Sequence, residues 1–161
     1  MLKSLQIRNL AVIAELDLEF GAGFNVLSGE TGAGKSILFS ALGLLLGDRA
    51  ESGLIRGDAA RAEISAEFQI APDSAAAAWL REQALAEPDA PEQLLLRRQL
   101  QAEGQSRAFV NGTPVVLRQL KELAECLVDI HGQHAHQQLL RAGTQRALLD
   151  DYAGIHEQLD A

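Results

Sequence analysis

Three glycines, Gly29, Gly32 and Gly34, punctuate the octet GETGAGKS, which closes on Lys35 and Ser36. Glycine at these places lets the backbone curl until successive N–H groups converge, and converging amides make a cradle for an anion. A lysine directly after the last glycine brings a positive charge to β- and γ-phosphates, and the serine hydroxyl behind it is a ligand for Mg²⁺. Glu30, Thr31 and Ala33 complete the octet, with Thr31 and Ala33 at its crown, where small side chains leave room. The chemistry on offer is the binding of a nucleoside triphosphate with its Mg²⁺. The loop reads phosphates rather than bases, so these residues leave the base open.

A loop of this kind works only between a strand that ends under it and a helix that starts from it. FNVL, before the octet, reads as a short apolar strand, and SILFSALGLLL, after it, as an apolar helix. The helix would turn its positive N-terminal end toward the anion. Gly47 stands where a left-handed residue closes a helix.

Hydrolysis asks for more: a carboxylate at the end of a second apolar strand, to hold Mg²⁺ and align water. ECLVDI, ending at Asp129, is the nearest candidate, but it continues the helical spacing of Leu117, Leu120, Ala124 and Leu127. RALLDD has the same weakness, and no N-K-x-D for reading guanine is present. HGQHAHQQ then stands out. His131, His134 and His136 are possible metal ligands by type, yet no cysteine is near and their spacing matches no established ligand pattern. Gln133 is the better chemical candidate, since its carbonyl can ligate Mg²⁺ and its amide can hold a water. The plain alternative is a solvated polar loop.

Elsewhere the chain alternates cleanly. AELDLEF sets Ala14, Leu16, Leu18 and Phe20 against three acids, and AEISAEFQI sets Ile64, Ala66, Phe68 and Ile70 on one side. Period two with one wet face predicts antiparallel strands. LQIRNL is a weaker strand, and Gly21 and Gly23 supply a turn before FNVLS. SAAAAWLREQALAE reads as a helix capped by Ser74. LLLRRQL and RAFVNGTPV read as strands joined across QAEGQS, with a tight turn at Asn111-Gly112. Thr113-Pro114 reads as the N-cap and first residue of the next helix. The tail, 137–161, is mostly helix-forming.

The 161 residues suffice for one domain with a real core. A formal charge of −8 argues against a surface that coats nucleic acid all over, though not against a local basic patch. Arg97, Arg98, Arg107, Arg118 and Lys121 supply such charge in the second half, and their first reading is solvated surface. The single cysteine, Cys126, excludes an internal disulfide, and the first residues form neither a signal peptide nor a membrane span. These features predict a cytoplasmic protein.

Two stretches together resemble the RecN family of bacterial DNA-repair proteins, which is similar to the structural-maintenance-of-chromosomes (SMC) proteins. They are LKSLQIRNLAVIAELDLEFGAGFNVLSGETGAGKSILFSALGLLLG and SRAFVNGTPVVLRQLKELAECLVDIHGQHAHQQLL. The resemblance implies an α/β P-loop NTPase head of the ABC/SMC type. This chain would be its N-terminal lobe, with a mixed sheet, an antiparallel β-subdomain and a helical arm. It implies a lobe at 1–140 and a helix at 141–161 leading toward a coiled coil. It implies that Gly29 to Ser36 bind ATP, and that Gln133, with Gln137 and Gln138 as competitors, is the glutamine touching Mg²⁺ and the attacking water. Arg8 and Asn9 lie where related heads approach the base or ribose. Ser40 departs from the family, which would carry an acid there, and helical spacing turns it away from the phosphates.

The partners implied are a C-terminal lobe of the same protein carrying the signature motif and the catalytic carboxylates, a second head in a homodimer, and DNA at double-strand breaks; no membrane is involved. The whole protein would be an ATPase associated with the nucleoid, and this stretch alone an incomplete one. Two rivals remain: a self-contained P-loop kinase, for which LLLRRQL offers lid arginines but no base, and a nucleotide-binding module without hydrolysis.

Overall fold

A computed structural model describes residues 1–28, 34–50, 53–57, 59–103 and 105–128. Strand β1 (Leu2–Leu10) and β2 (Ile13–Glu19) form a hairpin. Its tight reversal is made possible by positive φ at Asn9 (54°) and Ala11 (49°). Helix α1 (Lys35–Leu45) follows, then β3 (Arg61–Gln69), α2 (Ala75–Glu82), β4 (Gln93–Gln101), β5 (Arg107–Val110), β6 (Thr113–Val115) and α3 (Leu117–Leu127). The six strands make one sheet in the order β2-β1-β3-β4-β5-β6, every neighbouring pair antiparallel. Because β2 and β3 both run against β1, they are parallel to each other, and the segment containing α1 is the crossover between them.

The register explains the core. Leu5 and Ile7 of β1 lie beside Ala66 and Ile64 of β3, which lie beside Leu96 and Arg98 of β4, with Ala108 and Val110 next in the row. All of these are buried. Onto that face come Ala41, Leu44 and Leu45 of α1, Ala76, Ala77 and Leu80 of α2, and Leu120 and Leu123 of α3. Each buried leucine, isoleucine or phenylalanine contributes roughly 1.5–3 kcal/mol relative to exposure. The other face alternates polar, as the sequence pattern requires. Ser74 caps α2, its Oγ accepting from the Ala77 amide at 3.3 Å.

Two expectations are corrected. Segment 24–28 is not a strand: Phe24 is 93% and Val26 74% exposed. An apolar run becomes a strand only beside a partner, and among the described residues β2, the strand at that edge of the sheet, pairs with β1 alone. The described sheet is accordingly antiparallel between all neighbours, and the parallel pairing of a mixed sheet is not found among the described residues. Thr113-Pro114 does not open a helix. Asn111 (φ 47°) and Gly112 (φ 79°) fold the chain straight back, so Thr113 pairs with Val110 and Pro114 with Phe109. β6 is an edge strand, where a residue without an N–H is tolerated, and α3 starts only at Leu117.

Among the described residues no helix is long and apolar enough to cross a membrane.

Candidate phosphate-binding site

Gly34 is the hinge between the glycine-rich octet and α1. Its φ of 99° is left-handed, which a side chain would resist, and it holds the N-cap position. Its carbonyl accepts from the Ile37 and Leu38 amides, both at 3.1 Å, and so starts the helix. Among the described residues no side chain caps that end and no acid lies in its first turn. The first N–H groups of a helix lack internal acceptors, and the helix dipole adds positive potential there. Lys35 and Ser36 stand in that turn, Lys35 half-buried and Ser36 exposed. An anion with Mg²⁺ fits this donor set of helix amides, ammonium and hydroxyl.

A cleft of about 390 Å³ opens beside it, lined by Val12, Ile13, Ala14, Glu15, Leu16 and Leu18 of the first hairpin, by Leu27 and Ser28, and by Gly34, Lys35 and Leu38. The approach to the octet is fixed by Asn25, whose side chain accepts from the Gly21 amide at 3.1 Å and donates to the Gly21 and Gly23 carbonyls. Neither the hairpin wall nor Asn25 stands out in the sequence. The alternation of Leu16 and Leu18 marks a buried face without saying what covers it.

The far end of α1 is anchored as firmly. Gly47 (φ 106°) closes the helix as its sequence position predicts: the Gly47 amide donates to Leu44 and the Asp48 amide to Gly43. A Cβ on Gly47 would come 2.6 Å from Lys121 Cγ, so this helix end lies directly against α3. Ser40 bonds back to the Ser36 carbonyl at 3.0 Å.

Gly29, Glu30, Thr31, Gly32, Ala33 and Gln133 lie outside the described residues, as do Gln137, Gln138, Asp129 and the three histidines. Among the described residues no group of His, Cys, Asp or Glu could hold a metal. Arg8 is committed elsewhere: its NH2 group meets both Asp17 oxygens at 3.0 and 3.1 Å and Glu15 at 3.1 Å. The Asp17 hydrogen bond holds its pKa above the usual arginine value. Arg98, read from sequence as surface charge, is 1% exposed. It occupies a core-facing position on β4, where alternation overrides residue type, and burial pushes its pKa down. Burial, with Glu125, pushes the Cys126 thiol up.

A family model described as an AAA domain matches residues 4–78. The chain is 48% identical over 159 residues to the DNA repair protein RecN of Haemophilus influenzae, covering 99% of this chain and 28% of that protein. It is 50% identical over 161 residues to RecN of Xylella fastidiosa, covering all of this chain and again 28% of the relative. The chain thus spans little more than a quarter of the length of these relatives. Among solved structures, the Smc head domain with a coiled coil and joint from Pyrococcus yayanosii superposes with a TM-score of 0.67 at 19% identity, over 97% of this chain and 32% of that one. The fold is that of the N-terminal lobe of an SMC-type P-loop head.

Proposed function

We propose, from the premise that this chain belongs to the RecN family over the stretch it spans, that it is the ATP-binding lobe of a DNA-repair ATPase. The observation that carries the reading is the uncapped, acid-free start of α1, entered through a left-handed glycine at the close of GETGAGKS. Gly29, Glu30, Thr31, Gly32, Ala33 and Gly34 cradle the phosphates of ATP, Lys35 reaches their outer oxygens, and Ser36 ligates Mg²⁺. Gln133 is the second Mg²⁺ ligand and the residue that positions water. Bound Mg²⁺ would neutralise charge on the phosphoryl group; the chain's part is to orient the nucleotide against α1.

The remaining parts come from outside this stretch. A C-terminal lobe of the same protein supplies the metal carboxylate and the catalytic glutamate, and a second head completes each site in a homodimer. Exposed Phe24, Val26 and Leu27 support such a lobe, since they present an apolar edge directly before the octet. The helix at 141–161 leads toward a coiled coil, with the lobe ending near 140. ATP-driven engagement of two heads, acting on DNA at double-strand breaks in the bacterial cytoplasm, is the working cycle.

The test is Lys35→Ala in the full-length protein. Hydrolysis should fall about 100-fold or more, the scale of removing one electrostatic stabiliser of a transition state. Normal binding and turnover by the variant would sink the assignment.

A further inference from the structure

The sheet face turned away from the helices is divided by charge. On its β2 side stand Glu15, Asp17 and Glu19, and there Arg8 is tied down by Asp17 and Glu15. Across the sheet the balance reverses. The register puts Arg97 beside Phe109, Gln99 beside Arg107, and Arg61 beside Gln101. Three consecutive strands, β3, β4 and β5, each therefore contribute one arginine to the same face. Neighbouring strands lie about 4.8 Å apart, and Arg61 and Arg107 face β4 two residues out of step, so they are separated by roughly 12 Å at their backbones.

The Arg97 guanidinium lies over the Phe109 ring, 4.4 Å from its centroid. Among the described residues none of the three arginines forms an ion pair; the pairs found are those of Arg8 and Arg118. Two carboxylates share this part of the face, Glu63, which accepts from the Gln99 amide at 2.7 Å, and Glu67, opposite Leu95, so the three arginines leave it with a small positive excess. Arg107 is exposed, and Arg97 and Phe109 are half-exposed. Ordinary surface charge in this chain is mixed and net acidic, so three arginines on one sheet face, one of them stacked on an aromatic ring, stand apart from it.

We infer that this β3–β5 face binds single-stranded DNA, with Arg61, Arg97 and Arg107 on phosphates and the Arg97–Phe109 stack as a platform for a base. Guanidinium forks match phosphate oxygens. A flat π-surface beside them is what an unstacked base needs, and a duplex, with its bases already stacked, does not offer one. A sheet is flat enough to present both along an extended strand. The inference rests on the repair reading above and names its DNA-binding surface.

The experiment measures binding of a fluorescein-labelled polypyrimidine strand by the full-length protein across a salt series. Arg97→Ala with Arg107→Ala should weaken binding at least about tenfold at low salt. It should also flatten the log–log salt slope by roughly 1.4, since each phosphate neutralised on a single strand accounts for about 0.7. Phe109→Leu should weaken the single strand at least about fivefold, leaving the slope unchanged and duplex binding nearly untouched. Arg49→Ala with Arg118→Ala, removing equal charge elsewhere, should do neither, and basal ATP hydrolysis should stay level in all variants. Wild-type affinity and slope in the arginine pair variant, or equal losses in the control, overturn this surface while the repair reading stands. If the wild-type protein itself fails to bind DNA, both fall together.

Discussion

Arg98 is the residue whose surroundings contradict its type. Its NH2 group donates to Ser106 Oγ at 2.8 Å, yet its Nε is buried and finds no acceptor among the described residues. Desolvating a guanidinium against one neutral hydroxyl is unfavourable, and lone buried charges are often outperformed by apolar residues of similar length. Arg98→Met should therefore keep the packing and raise stability by about 1 kcal/mol, while Arg98→Ala, which opens a cavity, should lower it by about 2 kcal/mol. Chemical denaturation of the chain carrying each substitution measures both. If methionine proves as damaging as alanine, the charge itself is required and an anionic partner must reach it. Alternation along QLLLRRQLQ already separates the two arginines: Arg98 keeps step with Leu94, Leu96 and Leu100, and Arg97 with Gln93, Gln99 and Gln101, so it is the charge of Arg98, not its place in the pattern, that misleads the surface reading.

At the scale of elements, α1 is a strut with chemistry at one end and a lock at the other. Ala41, Leu44 and Leu45 seat it on the sheet, and Gly47 ends it where α3 passes. Gly47→Ala meets two penalties: a left-handed backbone, and a Cβ 2.6 Å from Lys121 Cγ and 3.3 Å from the Lys121 amide nitrogen. Together they should cost about 2 kcal/mol, and since α1 carries Lys35, ATP affinity should fall with the melting temperature. Gly53→Ala separates the two terms, because Gly53 has φ 98° with open space around it and should show the backbone cost alone. Equal effects of the two substitutions in thermal melts would show that packing against α3 contributes nothing. Elements whose stability is local are legible from sequence: the Ser74 cap, the Asn111-Gly112 turn, the alternating strands and the Gly47 stop. Those decided by pairing are not. FNVLS has the composition of a strand but no partner among the described residues, and Thr113-Pro114, which suggests a helix start, is held as a strand by β5. Of the candidate site, Gly34, Lys35 and Ser36 stand at the start of α1, where their spacing leads one to expect them, and the rest of the octet lies outside the described residues. Asn25 and the hairpin wall are not legible in the sequence, because their role depends on where the chain turns.

At the scale of the molecule, the candidate phosphate site stands next to exposed apolar side chains. The cleft at Lys35 is walled mostly by apolar side chains, with Glu15 and Ser28 among them, and Val12, Leu27 and Phe39 are 73%, 52% and 61% exposed. Hydrolysis is mainly positioning plus electrostatics, so an ammonium, a hydroxyl and helix amides bind phosphates but do not by themselves activate water. The 161-residue chain alone should therefore bind ATP weakly and turn it over at least about 100-fold more slowly than the full-length protein. Per-mole hydrolysis measured side by side decides this, with nucleotide binding followed by a fluorescent ATP analogue. Adding the remainder of the protein in trans should restore turnover and bury the Phe24–Val26–Leu27 edge, read as weaker binding of a hydrophobic dye. Turnover by the isolated chain at the full-length rate would mean that the catalytic carboxylates are within it. Asp129, despite extending the helical spacing of α3, would then be the first to substitute.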